Sequence, residues 1–142
     1  MLSVTGAKVA PFQSEVFTPF ELVLALENRM ETTVIDLVVR YVVDCSQEVA
    51  PRNIFELEGF TLQKGLQNIV CENISLCFLK EFHEWEYCNV GYLEVLLFSE
   101  GKKQLLVSLN LVVQIFTDRE YAGALKRVYS LVHTQNNHGI IS

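Results

Sequence analysis

The residues with the most obvious chemistry in this chain are Cys71, Cys77, His83 and Cys88. Thiolates and an imidazole are the ligands that zinc takes, arranged as a tetrahedron. The spacing does not build one. If Cys71 and Cys77 share a strand they stand roughly 20 Å apart at about 3.3 Å per residue, far beyond a common tetrahedron. Neither Cys-x-x-Cys nor His-x-x-x-His occurs. The expectation is therefore buried core cysteines with His83 in a loop, no metal site and no cofactor.

A second cluster sets Glu81, Glu84 and Glu86 around His83 and Trp85. Neighbouring carboxylates raise one another's pKa and so suit general acid/base work. No partner nucleophile or substrate-positioning motif accompanies them, and a solvated acidic connection is the expectation. Phosphate cradles of the G-x-x-x-x-G-K-[ST] or G-x-G-x-x-G kind are absent, as is a nucleophile elbow. These motifs give no catalytic residue, and an enzyme is not expected. Trp85, Tyr87 and Tyr92 are aromatics set among charges, which serve either as core lids or as anchors for a protein partner. Basic residues come as two pairs, Lys102-Lys103 and Lys126-Arg127, with Arg29 and Arg52 scattered. Lys102 and Lys103 are a solubilising tip or, alternatively, a phosphate contact on a nucleic acid.

The elements that must position these residues follow period two. Phe20, Leu22, Leu24 and Leu26 alternate with Glu21, Val23, Ala25 and Glu27, the pattern of a half-buried strand. After the "ENRMETT" break, "VIDLVVRYVVD" sets Ile35, Leu37, Val39, Tyr41 and Val43 on one face and Asp36 and Arg40 on the other. Its β-branched enrichment favours a strand over a helix. In "PRNIFELEGFTLQKGL", Phe55 and Leu57 face away from Glu56 and Glu58 in a short strand ending near Gly59, and Lys64-Gly65 supplies a turn. "NIVCENISLCFL" is a further strand, bent near Glu72 to Asn73. "EFHEWEYCNVG" is a connection with a turn at Asn89 to Gly91. "YLEVLLFSEGKKQLLVSLNLVVQIF" is a hairpin with its tip at Glu100-Gly101-Lys102-Lys103. With a first strand between Leu2 and Ala10, the count is about seven strands at sandwich-like spacing.

Beyond Phe116 the pattern changes. Thr117-Asp118-Arg119-Glu120 matches a capping box, and Tyr121, Leu125, Val128 and Val132 recur at helical spacing, so a helix is expected to about Val132. The expected architecture is mainly β: an immunoglobulin-like antiparallel β-sandwich over residues 1–116, an appended C-terminal helix over 117–132 and a polar tail over 133–142.

Composition narrows the partners. At 142 residues, one core suffices, burying roughly 68–70% of the unfolded surface. Hydrophobic residues make up 50% and charged residues 20%, which fits buried strands or a face that another molecule covers. A net charge of -6 disfavours unassisted attraction to phosphate backbones or anionic lipid. The first residues lack the apolar run of a secretory signal, and Asp36, Arg40 and Asp44 interrupt the longest apolar region, so no membrane span is expected. A cytoplasmic setting follows, with Cys45, Cys71, Cys77 and Cys88 reduced and Asn73-Ile74-Ser75 an accidental match to the glycosylation sequon.

Residues 17–112 resemble the C-terminal immunoglobulin-like module of DNA alkylation repair proteins of the HEAT-like-repeat type. In that family a strand pair leads to a lysine- and phenylalanine-rich strand, a sandwich-crossing strand, a Tyr-x-Gly-x-His approach and a hairpin with Asn-Gly. Here "NIFELEGFTLQKGL" stands for the first part, and "EYCNVGYLEVLLFSEGKKQLLVSLNLV" places Tyr87, Gly91 and Glu100-Gly101 for the rest. The family's helical repeats are missing, and Glu84, Glu86 and Tyr92 stand where basic residues are expected. The resemblance implies the sandwich fold and, as an alternative role, accessory nucleic-acid contact through Lys102 and Lys103. The leading expectation is a non-catalytic protein-interaction module that docks a protein partner or forms a homo-oligomer.

Overall fold

The computed structural model describes residues 2–11, 13–15, 18–43, 50–78, 90–118 and 126–132. Nine strands run through them: β1 (Leu2–Ala10), β2 (Gln13–Glu15), β3 (Phe20–Asn28), β4 (Thr33–Val43), β5 (Arg52–Leu62), β6 (Gly65–Ile74), β7 (Val90–Ser99), β8 (Leu105–Asp118) and β9 (Lys126–Val132). A three-stranded sheet has the order β1-β3-β6, and a six-stranded sheet the order β2-β9-β8-β7-β4-β5. Every pairing is antiparallel. In the lettering of an immunoglobulin sandwich, β1, β3 and β6 take the places of A, B and E, while β5-β4-β7-β8 take C′, C, F and G. The fold is a mainly β, antiparallel sandwich.

The inner faces are the alternating apolar rows. Phe20, Leu22, Leu24 and Leu26 of β3 are buried, as are Ile35, Leu37, Val39 and Tyr41 of β4, Leu93, Val95 and Leu97 of β7, and Val107, Leu109, Leu111 and Val113 of β8. They form one cluster with Leu2, Val4, Ile69 and Cys71. Full burial of each aliphatic side chain contributes about 1.5–3 kcal/mol, so these rows dominate the stability of the sandwich.

Polar side chains fix the turns. Asn28 is 1% exposed. Its amide donates to the carbonyls of Glu31 and Gln63, both at 3.3 Å, and its Oδ1 accepts from the amide of Met30 at 3.0 Å. One side chain thus ties the β3–β4 turn to the β5–β6 turn. At the β7–β8 tip, Ser99 N–H donates to the Gln104 carbonyl at 2.8 Å, and Gln104 N–H donates to Ser99 Oγ at 3.0 Å. A short 3-10 turn, Glu100–Lys102, lies between them.

Four expectations change. The helix over 117–132 is not formed: Thr117 and Asp118 end β8, and Lys126–Val132 is β9, with Asp118 opposite Lys126 and Val112 opposite Val132. Val128 and Val132 are four residues apart, a spacing shared by one helical turn and by two strand repeats. The β-branched and aromatic run "VYSLV" fits a strand pairing along β8 and β2 better than an isolated helix. Second, β2 and β9 raise the count of about seven strands to nine. Third, β5 does not end at Gly59 but runs on to Leu62, because Glu58 and Gly59 form a bulge opposite Asp36 with Gly59 at φ 66°. Fourth, Gly91 is no turn residue; it lies within β7, where an added Cβ would collide with Tyr41 Oη and come within 2.7 Å of the Val42 carbonyl oxygen. The bend near Glu72 and Asn73 is a bulge opposite β3, with Asn73 at φ 58°.

Candidate functional site

The inner face of the six-stranded sheet meets the three-stranded one, and cross-strand register shows what its outer face carries. Phe98 sits opposite Asp36. Leu96 sits opposite Val38 and Ser108, with Glu56 beyond Val38. Glu94 faces Arg40 and Asn110, and Tyr92 faces Val42 and Val112. Val42, Tyr92, Leu96, Phe98 and Val112 are all half-buried, and Val38 is 5% exposed. An apolar band therefore crosses β4, β7 and β8 on the side turned away from the core. Among the described residues no second layer of strands lies over it.

At the middle of this band Arg40 and Glu94 form an ion pair, Nε and Nη2 both directed at Oε1, with side chains 38% and 20% exposed. At that exposure the pair contributes about 1 kcal/mol or less. Its larger consequence is placement: a flat apolar surface is divided by one fixed charge pair, which gives a docking partner a register.

The Asp36 end is built differently. Asp36 is 5% exposed, and its two carboxylate oxygens accept from the amides of Gly59 at 2.9 Å and Gly101 at 3.0 Å. Both glycines have positive φ, 66° and 76°, the left-handed region in which a Cβ is unfavourable. A central strand thus holds the β5 bulge and the β7–β8 tip through one carboxylate.

Of the residues singled out from sequence, Tyr92 lies on the apolar band, while Trp85 and Tyr87 lie outside the described residues, as do Glu81, His83, Glu84, Glu86, Cys45 and Cys88. Lys102 and Lys103 are exposed on the β7–β8 tip, Lys102 at φ 57°. Tyr92 stands near the opposite end of β7, roughly 20 Å away at about 3.3 Å per residue. The fold does not bring Tyr92 and the Lys102-Lys103 pair together. Val38, Arg40, Val42, Glu94, Leu96 and Phe98 join this face although no sequence motif marks them as a site. Their signal was present: the residues between the core positions of β4 and β7 are not uniformly polar.

The thiols divide. Cys71 is fully buried on β6, where burial pushes its pKa up to about 12 and keeps it protonated and inert as a nucleophile. Cys77, expected in the core, is exposed because β6 ends at Ile74 and the chain turns out of the sheet beyond it. Its amide donates to Ser75 Oγ at 3.2 Å. Tyr41 is buried with no hydrogen-bond partner for its hydroxyl, its ring edge-to-face with Phe78 at 6.0 Å and 71°. Burial raises its pKa as well. Arg52 stacks over Phe78 at 5.0 Å from the ring centroid. An open groove of about 340 Å³, lined by Ala10, Pro19, Phe20, Glu21, Glu72 and Asn73, lies at the β3–β6 bulge and offers two carboxylates without a nucleophile. Among the described residues no three His, Cys, Asp or Glu side chains are placed to share a metal ion. None of their helices is long and apolar enough to cross a membrane. In comparisons with known proteins, no family model and no curated sequence matches this chain.

Proposed function

We propose that this chain is a non-catalytic β-sandwich interaction module that docks a protein partner, or another part of a larger assembly, on the outer face of its six-stranded sheet. The observation that carries this reading is the band of Val42, Tyr92, Val112, Leu96 and Phe98, half-buried around the Arg40–Glu94 pair. Aromatic and aliphatic anchors beside a fixed charge, on rigid central strands, are what a protein interface uses at its centre. The acidic net charge of -6 and the buried thiol of Cys71 fit a cytoplasmic adaptor.

The test is a photo-crosslinking amino acid at Leu96 in the full chain, expressed in its native cell, with the same label at exposed Thr61 as control. One dominant protein adduct at position 96, lost on Tyr92→Ala and absent at position 61, is expected. Equal, diffuse labelling at both positions would remove the reading. The second reading, accessory nucleic-acid contact, is favoured by the joint exposure of Lys102 and Lys103 on a tip held by Asp36. It requires binding that falls with rising salt and weakens in the Lys102→Ala, Lys103→Ala double variant.

A further inference from the structure

Four strands end the two sheets, and three of them are blunted. β2 has three residues. β1 carries a bulge at Thr5, and β5 has register breaks at Ile54 and at Glu58-Gly59. Bulges and very short strands are the usual protections against edge-to-edge pairing. β6 is different: it pairs with β3 without a break from Gly65 to Cys71, and among the described residues nothing pairs with its other side. Its outward side chains are Leu66, 80% exposed, and Val70, 46% exposed, with Asn68 and Glu72.

The residues of β6 complement themselves. When a strand pairs antiparallel with its own copy, facing residues share a side of the sheet, so one residue on the two-fold axis must face itself. An axis at Gln67 sets Leu66 against Asn68 and Lys64 against Val70. An axis at Ile69 sets Leu66 against Glu72 and Asn68 against Val70. Only the axis at Asn68 matches apolar with apolar and opposite charges: Leu66 faces Val70 of the second copy, and Lys64, in the turn just before β6 and 3.7 Å from Glu31, comes to the end of the paired run beside its Glu72; each contact occurs twice. That register also uses the whole unbroken run 65–71 and ends at the Glu72–Asn73 bulge.

We propose that a second copy of this chain docks on the β6 edge in this register, joining the two three-stranded sheets into one six-stranded sheet across a two-fold axis at Asn68. The surface lies on the sheet opposite the Tyr92 band, so a failure here leaves the proposed partner face untouched, and the converse holds.

Sedimentation velocity on the full chain is expected to show a concentration-dependent monomer–dimer equilibrium. Lys64→Glu and Glu72→Lys each weaken it roughly tenfold, since each creates two like-charge pairs, and the two together restore it. Leu66→Lys leaves a monomer. With Cys45, Cys77 and Cys88 replaced by serine, Asn68→Cys forms a disulfide-linked dimer under oxidised glutathione, and Leu66→Cys does not. A native chain that stays monomeric at its highest soluble concentration, or a dimer indifferent to Leu66→Lys and unlinked through position 68, would overturn the proposal.

Discussion

β4 and β6 are written in the same two-residue alternation and end in opposite circumstances. β4 is flanked by β5 and β7; Ile35, Leu37, Val39 and Tyr41 are 0% exposed inward, and even outward Asp36 and Val38 are only 5% exposed. Among the described residues β6 has a neighbour on one side only; Ile69 and Cys71 are buried inward, yet Leu66 is 80% exposed outward. The difference shows that a second face is covered by neighbouring strands and their turns rather than by the strand's own pattern. It also separates two roles. The central strand accumulates constraints such as the Asp36 clamp, and the edge strand has no strand beside its outer backbone groups among the described residues.

The contrast is sharpest for one leucine at each place. Leu37→Ala removes a fully buried side chain and is expected to cost about 3–5 kcal/mol of stability in urea unfolding. Should it cost under about 1 kcal/mol, the central core assignment fails. Gly91→Ala comes next, at about 3 kcal/mol, because the new methyl would collide with Tyr41 Oη and the Val42 carbonyl oxygen. Adding Tyr41→Phe should recover part of that loss by deleting the clashing, unpartnered hydroxyl. Asp36→Ala strips two amides of their acceptor and is expected to cost about 2 kcal/mol, with faster hydrogen exchange at Gly59 and Gly101 as its local signature. Unchanged exchange there would mean that the clamp is not made in solution.

β6 answers through pH. Burial raises the pKa of Cys71 in the folded chain from the ordinary 9.0 to about 12, so the neutral thiol belongs to the fold. As pH rises past that ordinary value the unfolded chain loses this proton first, and stability falls with pH until the folded thiol ionises too. The Cys71→Ala variant should therefore lose stability less steeply between pH 9 and 12; an unchanged slope in alkaline urea titrations would assign the loss elsewhere. The smallest effect is at the edge. In dilute, monomeric protein Leu66→Ala should shift stability by no more than about 0.5 kcal/mol, and a core-sized loss would show that its outer face is covered.

The inner core was legible because each inward residue of β3, β4 and β7 is apolar and its chain neighbours point the other way. Turns marked by Lys64-Gly65 and Glu100-Gly101 were legible for the same local reason. β9 was not, since Val128 and Val132 satisfy both periods and only their pairing along β8 selects one. Tyr92 stands out in the sequence as an aromatic among charges, but the pairing of Arg40 with Glu94 does not, because residues 54 positions apart become neighbours only when β4 and β7 pair.

Alternation along the chain determined that there would be strands, which side of each would face the core, and where several turns would fall. These depend on the geometry of consecutive residues. Tertiary structure alone decided which strands would be central and which would be edges, that Asp36 would be enclosed by two glycine amides, and that an apolar band would lie outside the core. Those outcomes depend on hydrogen-bonded neighbours supplied from distant parts of the chain, and a period of two is the same for every strand that has them and every strand that does not.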